Sequence, residues 1–594
     1  MKQNRKRKYT NCIWLLAVMG ISALLMGLCF DFYFDLNDDT MMRDIMAGIY
    51  SGRPDGHNMQ MLYPLGALLA LCYRVCGVIP WYGVFLFLCQ FGSFYLVGIR
   101  LLDLFRKVGE RIFALAALFL FQWGIWLIHM VNTQYTITCA MLSAAAVFWL
   151  MTTPERLSVR EFVLKNVPTV LLLVLAFQLR PEMLLLTLPF AGFAGWFLWW
   201  EEKPAFTPDK LKKYGLTAGL LLFGFLLSAV IDLAAYGSAE WRDFRRFFDA
   251  RTTVYDFYPD VVTQDAYGGG LLELGVSSSQ QTLLCNYNFG LDEGIDTKMM
   301  EKTADYAVDV VGGGRNFAAV FKDSLFRYVY RTLHKEDGPY NFLVIFGYAA
   351  NIIAIVILYK KTKDEYSDEL GKRRLLWRLS QLVLLALMRT AIWMFILMRG
   401  RDPERITHSL YLVEFVLLAA MLWRLPRVDW RVPARIMAAL FVLLMTVSLM
   451  GSLTTVSADR SRRKEAQRDW EAIDSYCAGQ SDNFYFEDVY STVAFSGKLF
   501  SVGRGSCANY DIAGGWICKS PLYREKLSRF GIVSAGDALA EDGRVFFIMS
   551  EEEKNARGLD WLGDFYEEKG RKVEIRESGK INENYRVYQV GRSR

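Results

Sequence analysis

Charge is scarce in this chain of 594 residues: 22% of them are charged, and only 4 are histidine. No cysteine–histidine spacing suggests a zinc site, although there are 10 cysteines. No internal repeat is visible, and no small-x-small cleavage site follows the first apolar run. What fills the chain instead is apolar: 53% hydrophobic and 15% aromatic, with 41 Phe, 30 Tyr, 16 Trp and 22 Met. Apolar runs near membrane-spanning length recur along most of it, which excludes a soluble enzyme, a disordered protein and a fibrous repeat. The net charge of +6 does not point to nucleic acid. A membrane protein gathers lysine and arginine in its cytoplasmic loops for a different reason.

The basic block Met-Lys-Gln-Asn-Arg-Lys-Arg-Lys precedes the apolar run 12–30, which reads as a retained first helix with its amino terminus inside. Leu25 to Cys29 is a poor lipobox because bulky Leu28 precedes the cysteine. Further spans are expected at 81–105, 112–128, 134–151, 163–179, 183–200, 216–236, 340–359, 380–398, 410–422 and 436–453. The expected fold class is therefore an α-helical polytopic membrane protein with about eleven transmembrane helices, each long enough for ~30 Å of hydrocarbon. The run 410–422 is short and contains Glu414.

Parity then assigns five loops to the inside, and each is basic. They hold Arg106, Lys107 and Arg111; Arg156, Arg160 and Lys165; Lys203, Lys210, Lys212 and Lys213; Lys360 to Arg378; and Arg424, Arg427, Arg431 and Arg435. That is the positive-inside pattern of a multi-pass protein of the cytoplasmic membrane, and an odd span count puts the carboxyl terminus outside.

Three pieces face outward: 31–80, 237–339 and a tail. The chain divides into a transmembrane part, 1–455, and a small extracytoplasmic α/β domain, 456–594. The tail pairs a charged helix, 459–476, and a helix-like segment, 551–569, with β-like runs at 483–489, 544–549, 572–576 and 585–590. It holds no phosphate loop or catalytic motif and reads as a structural or recognition appendage. A Cys507–Cys518 disulfide is one reading of its cysteines; free thiols are the other.

The first outer piece opens Phe34-Asp35-Leu36-Asn37-Asp38-Asp39-Thr40 and continues Met41-Met42-Arg43-Asp44 to Tyr50. The stretch after Asp38 reads as a helix with acids in its first turn and Gly52 just past its end. A second stretch, Tyr63-Pro64-Leu65-Gly66 to Cys76-Gly77, is amphipathic and reads as interfacial. Two adjacent carboxylates at the outer surface suit an enzyme that takes a proton from an acceptor hydroxyl. They also suit a plain helix start with an Asp39–Arg43 pair at i,i+4.

The inside-start helix, the Asp-Asp pair at its outer end, the segment Ala-Gly-Ile-Tyr-Ser-Gly-Arg-Pro-Asp and the Tyr-Pro-Leu-Gly helix resemble the GT-C glycosyltransferases. Those polytopic enzymes move sugar from a polyprenyl-phosphate donor to acceptors outside the cytoplasmic membrane. The resemblance implies a catalytic base at Asp38 or Asp39, and basic residues of late outer loops against the donor phosphate. Here those are Arg399, Arg401 and Arg405, with His408 beside them and Arg180 at another outer turn. Arg43, Asp44, His57 and Glu182 are further candidates for the acceptor or the loop helix. No metal ligand set is expected, although one aspartate could hold a divalent ion. The expected partners are membrane lipid, a polyprenyl-phosphate-linked sugar and an envelope glycan acceptor, with no nucleic acid. The aromatic stripe Trp241, Phe244, Phe247 and Phe248 suggests an interfacial helix. Three rivals remain: an O-antigen-type polymerase or ligase; a lipid or glycan transporter, which would need charges deep within several spans; and a catalytically dead scaffold.

Overall fold

A computed structural model describes residues 2–201, 204, 206–365, 368–425, 431–495, 497–503 and 507–592; for 2–5, 361–365, 368–371, 431–434 and 592 it describes the backbone alone. Of the expected inner-loop bases, Lys203 and Arg427 lie outside the described residues. Among the described residues, ten helices are long and apolar enough to cross a membrane: Lys6–Phe30, Trp81–Leu104, Tyr135–Thr152, Val159–Leu179, Pro181–Glu201, Pro208–Ala235, Tyr340–Lys360, Lys372–Leu397, Glu404–Trp423 and Arg435–Ala478. The architecture is that of a helical, multi-pass membrane protein.

The run expected at 112–128 is interrupted. Helix α5 (Val108–Gly124), the fifth after α1 (Lys2–Phe30), α2 (Asn37–Ala47), α3 (Tyr63–Val75) and α4 (Trp81–Leu104), stops at Gly124, and a short helix, Leu127–Val131, follows. A Cβ on Gly124 would lie 2.5 Å from the Met445 carbonyl oxygen, so glycine lets the last long helix pack against this end. α5 still runs alongside α1 in the same direction. Arg111 donates to Asn11 at 2.9 Å near the start of α1, and Trp123 donates to Ser22 at 2.8 Å further along. At 1.5 Å per residue, its 17 residues cover about 26 Å, close to the hydrocarbon thickness.

The loops sort to two ends of the bundle. At one end the basic loops meet: Glu201 binds Arg378 at 3.0 Å and also Arg424, Lys210 binds Glu155 at 3.0 Å, and Asn11 reaches Asp103 at 3.2 Å. At the other end β1 (Tyr33–Phe34) pairs in parallel with β2 (Asn132–Thr133), and the pieces 31–80 and 237–339 gather around the tail. Deep within the spans, Arg389 Nε lies 2.8 Å from Glu414 Oε2. The Glu414 carboxylate also accepts from Tyr348 at 2.8 Å, so the acid that made 410–422 look insecure has partners on neighbouring helices.

The division expected at 455/456 falls inside one continuous helix, Arg431–Ala478, which at 48 residues is about 72 Å long. Beyond it lies a five-stranded sheet. β3 (Phe484–Glu487) pairs in parallel with β4 (Tyr510–Ile512) and with β5 (Val545–Ser550). On the other flank β6 (Val573–Lys580) and β7 (Tyr585–Arg592) extend it antiparallel, giving the order β4-β3-β5-β7-β6. The expected helix 551–569 is two helices, Glu551–Arg557 and Asp560–Glu568, broken at Gly558, whose φ is 69°. All described cysteines are free thiols, Cys507 and Cys518 included.

The tail is bound to the membrane part through backbone. Phe34 N–H donates to the Gly497 carbonyl and Leu499 N–H to the Phe32 carbonyl, both at 2.9 Å. Arg463 clamps the joint: it binds the Asp35 carboxylate at 2.8 Å, the Asp459 carboxylate at 2.6 Å and the Phe34 carbonyl at 3.0 Å. Gly83 on α4 lets this strap approach, because a Cβ there would sit 1.9 Å from the Leu499 carbonyl oxygen. Gly83→Ala is therefore expected to displace the tail, and Arg463→Met to cost roughly 1–3 kcal/mol by leaving the Asp35 carboxylate without its cation, whereas Asp459 keeps Arg462 at 2.6 Å. Limited proteolysis and thermal unfolding of the detergent-solubilised protein measure both effects; unchanged protection in Gly83→Ala would contradict the docking.

Candidate functional site

Helix α2 starts immediately after the β1–β2 pair, with Leu36 at its N-cap and Asp38 and Asp39 in its first turn. Consecutive helical residues point about 100° apart, so the two carboxylates meet different surroundings. Asp39 turns into the protein and is fully buried; its Oδ1 accepts from Tyr82 at 2.7 Å, and its Oδ2 has no hydrogen-bond partner among the described residues. Asp38 turns the other way and lines a cavity of about 430 Å³. The helix stops at Gly48 (φ 80°), whose N–H closes on the Asp44 and Ile45 carbonyls. The expected stop at Gly52 is thus four residues late, because the first glycine able to turn left-handed ends the helix. The Asp39–Arg43 pair does not form: Arg43 binds Asp44 at 2.7 Å instead.

The cavity has three walls. α2 and its following turn supply Asp38, Asp44 and Tyr50; the outer piece supplies Arg251, Tyr255 and Asp256; and the tail supplies Glu487, Tyr490, Asp511 and Trp516. The tail therefore forms one wall of the cavity. Tyr50 donates to Asp511 at 2.9 Å across the seam.

Around Asp38 the charge is basic. Burial pushes its carboxyl up, while Arg405, Arg180 and Arg251 pull it down and Asp256 adds to the rise. Arg405 sits in the first turn of the helix Glu404–Trp423. Arg180 is fixed by the Gln60 side chain at 2.6 Å and by Glu182 at 3.2 Å, with its guanidinium over the Tyr135 ring. Arg251 donates to the Tyr287 hydroxyl, and its Nε has no hydrogen-bond partner among the described residues. Arg401 holds Asp256 at 3.2 Å. Fixed guanidinium groups around one carboxylate make a site that can accept an anion and take up a proton.

Of the residues expected from the sequence, Asp38 and Asp44 line the cavity, Arg180 and Arg405 act on Asp38 from behind it, and Arg401 braces its wall. Others stand apart. Arg399 is exposed over the Phe395 ring, and the Glu182 side chain is largely exposed. His408 is buried against His129 at 3.0 Å and stacked on Tyr340. His57 binds Asp55 at 2.6 Å and stacks on Trp241, tying the first outer piece to the aromatic stripe of Ala239–Thr252. The sequence reading missed Arg251 and the whole tail wall. The run Tyr510-Asp511-Ile512-Ala513-Gly514-Gly515-Trp516 carried a signal, since a short apolar run closing on Gly-Gly marks a strand end that another backbone approaches. A Cβ on Gly514 would lie 1.9 Å from the Tyr287 carbonyl oxygen.

Burial pushes the Asp39 carboxyl well above its ordinary range, with Asp38 and Asp35 adding to the rise and the Tyr82 hydroxyl opposing it. A folded-state pKa above the unfolded value of about 3.9 means that this group's stability contribution is complete below that pH and is lost as pH rises. Asn at 39 keeps an acceptor for Tyr82 without a charge to bury. Thermal unfolding across pH is expected to show Asp39→Asn matching the wild type near pH 4 and exceeding it progressively toward neutrality. A variant less stable at neutral pH would overturn this assignment of Asp39 to a structural role.

No protein-family model, curated protein or solved structure matches the chain.

Proposed function

We propose that the protein is an inverting membrane glycosyltransferase that moves a sugar from a polyprenyl-phosphate-linked donor to an envelope acceptor at the outer face of the cytoplasmic membrane. The observation that carries the reading is the placement of Asp38: a carboxylate that lines the cavity just beyond the first span, with Arg251 in the same lining and Arg405 and Arg180 near enough to act on its charge. The resemblance of the first outer piece to the GT-C enzymes points to Asp38 or Asp39, and of the two Asp38 lines the cavity. With α5 counted as a crossing there are eleven, and the lysines and arginines gathered at one end support a reading in which that end is inside and the cavity and tail are outside.

In this mechanism Asp38 takes the proton of the acceptor hydroxyl as that oxygen bonds to the anomeric carbon. The bond from that carbon to the phosphate oxygen breaks on the opposite face through an oxocarbenium-like state. The leaving polyprenyl phosphate carries away the bonding electron pair, and its charge falls against Arg251, with Arg405 and Arg180 contributing from further back. A carboxyl pushed upward by burial and held ionisable by guanidinium groups is suited to that base role. A transporter would need ionisable groups strung along its spans; the Arg389–Glu414 pair is instead enclosed by Tyr328, Trp393 and Tyr411 and reads as an interhelical clamp.

Sugar transfer from polyprenyl-phosphate donors measures the proposal. Asp38→Asn is expected to lower turnover by about 10²–10⁴-fold, the usual worth of general-base catalysis. Arg405→Gln is expected to lower it less and to raise the donor KM. Undiminished turnover in Asp38→Asn would remove the base and favour a polymerase or ligase that does not use it.

A further inference from the structure

The cavity changes character from one end to the other. Its Asp38 end is surrounded by guanidinium groups, whereas its tail end is acidic and aromatic. Glu487, at the carboxyl end of β3, lines the cavity, is fully buried, and neither of its oxygens has a hydrogen-bond partner among the described residues. Asp511 on the neighbouring strand lines it too. The one lysine of this wall, Lys526, is already engaged: its Nζ donates to the Tyr510 carbonyl at 2.5 Å, lies 3.4 Å from Asp511 and sits 4.4 Å from the centre of the Tyr50 ring. Burial holds the Glu487 carboxyl up at about 8, with Asp511 raising it further and Lys526 opposing.

A buried carboxylate with no partner is costly, and a bound cation relieves that cost. The same wall supplies π-faces. Trp470, stacked on Phe495 with ring centres 3.9 Å apart, and Trp516 both line the cavity. Indole over a cation is the strongest of the side-chain cation–π pairs. Lys526 shows how this wall holds an ammonium: one ring face, one carbonyl and one carboxylate. Crevices at the carboxyl ends of parallel strands are also where open α/β sheets take ligands. Among the described residues no group of three or more His, Cys, Asp or Glu side chains is placed to hold a metal ion, which favours an organic cation at this wall.

We propose that the tail half of the cavity is a subsite for the protonated amine of an amine-bearing saccharide, bound by Glu487 and the Trp470 and Trp516 rings. Calling that saccharide the acceptor rests on the transferase reading; the amine subsite itself does not. The Asp38 end would then receive the anionic donor and the tail end the cationic acceptor, so that charge alone orients two substrates in one chamber.

Binding of glucosamine, N-acetylglucosamine and glucose to the full-length protein in nanodiscs, followed by tryptophan fluorescence and calorimetry without any donor, tests this. Glucosamine is expected to bind saturably, at least tenfold more tightly than its N-acetylated form or glucose. Glu487→Gln is expected to abolish that preference, and Glu487→Asp to retain part of it. Equal affinity for glucosamine and N-acetylglucosamine in the wild type would overturn the proposal whether or not either variant folds. So would a preference unchanged in Glu487→Gln. Because no donor is present, a failed Asp38 base assignment leaves this result untouched, and a failed amine preference leaves the transfer assay untouched.

Discussion

The hydrogen bond from Tyr82 to Asp39 sets the rotation of α2 about its own axis, and the geometry of the cavity follows from that rotation. With Asp39 turned into the protein against α4, the adjacent residue must face about 100° away, which puts Asp38 in the chamber. The two carboxylates that sequence presents as an undifferentiated pair thereby divide their work. One is buried at a cost in stability and fixes the helix; the other keeps surface in the cavity among guanidinium groups. Environment, not residue type, makes the distinction.

The same end of α2 is held from above by the tail. The strap at 497–499, bonded to Phe32 and Phe34, and the Arg463 clamp on Asp35 lie within a few residues of Asp38. Positioning of the candidate base and docking of the tail are therefore one structural event. This explains why a 48-residue helix runs unbroken from the last span into the sheet: a flexible linker would leave the third wall of the cavity unfixed.

Much of this was legible in the sequence, for identifiable reasons. Membrane spans announce themselves through length and hydropathy, and the basic loops at Glu155, Glu201 and Arg424 do meet at one end, as their charge required. The Asp38–Asp39 pair stood out because two adjacent acids follow an apolar run within eight or nine residues and open a helix. Four strands of the tail were readable from their β-branched and aromatic runs; β4 was not, because three residues carry no periodicity. Long-range placement was the systematic blind spot. His408 and Arg399 sit beside Arg401 and Arg405 in sequence, yet helical phase sends His408 into the core beside His129, while Arg399 lies on the surface in the turn after Leu397. Conversely, Arg251 and Glu487 are separated from Asp38 by hundreds of residues and share a cavity with it. No local pattern predicts a wall built from three distant segments.

Asp38, Arg251 and the tail wall line one cavity, with Arg180 and Arg405 behind Asp38. Its use as a single substrate chamber is decided by the structure of the protein bound to a non-hydrolysable polyprenyl-phosphate sugar analogue. The lipid phosphate is expected against Arg251, on the side of Arg405 and Arg180, with the anomeric carbon turned toward Asp38 and room for an acceptor between that carbon and Glu487. A phosphate bound at the basic-loop end near Arg378 and Arg424, or a sugar outside the chamber, would contradict it.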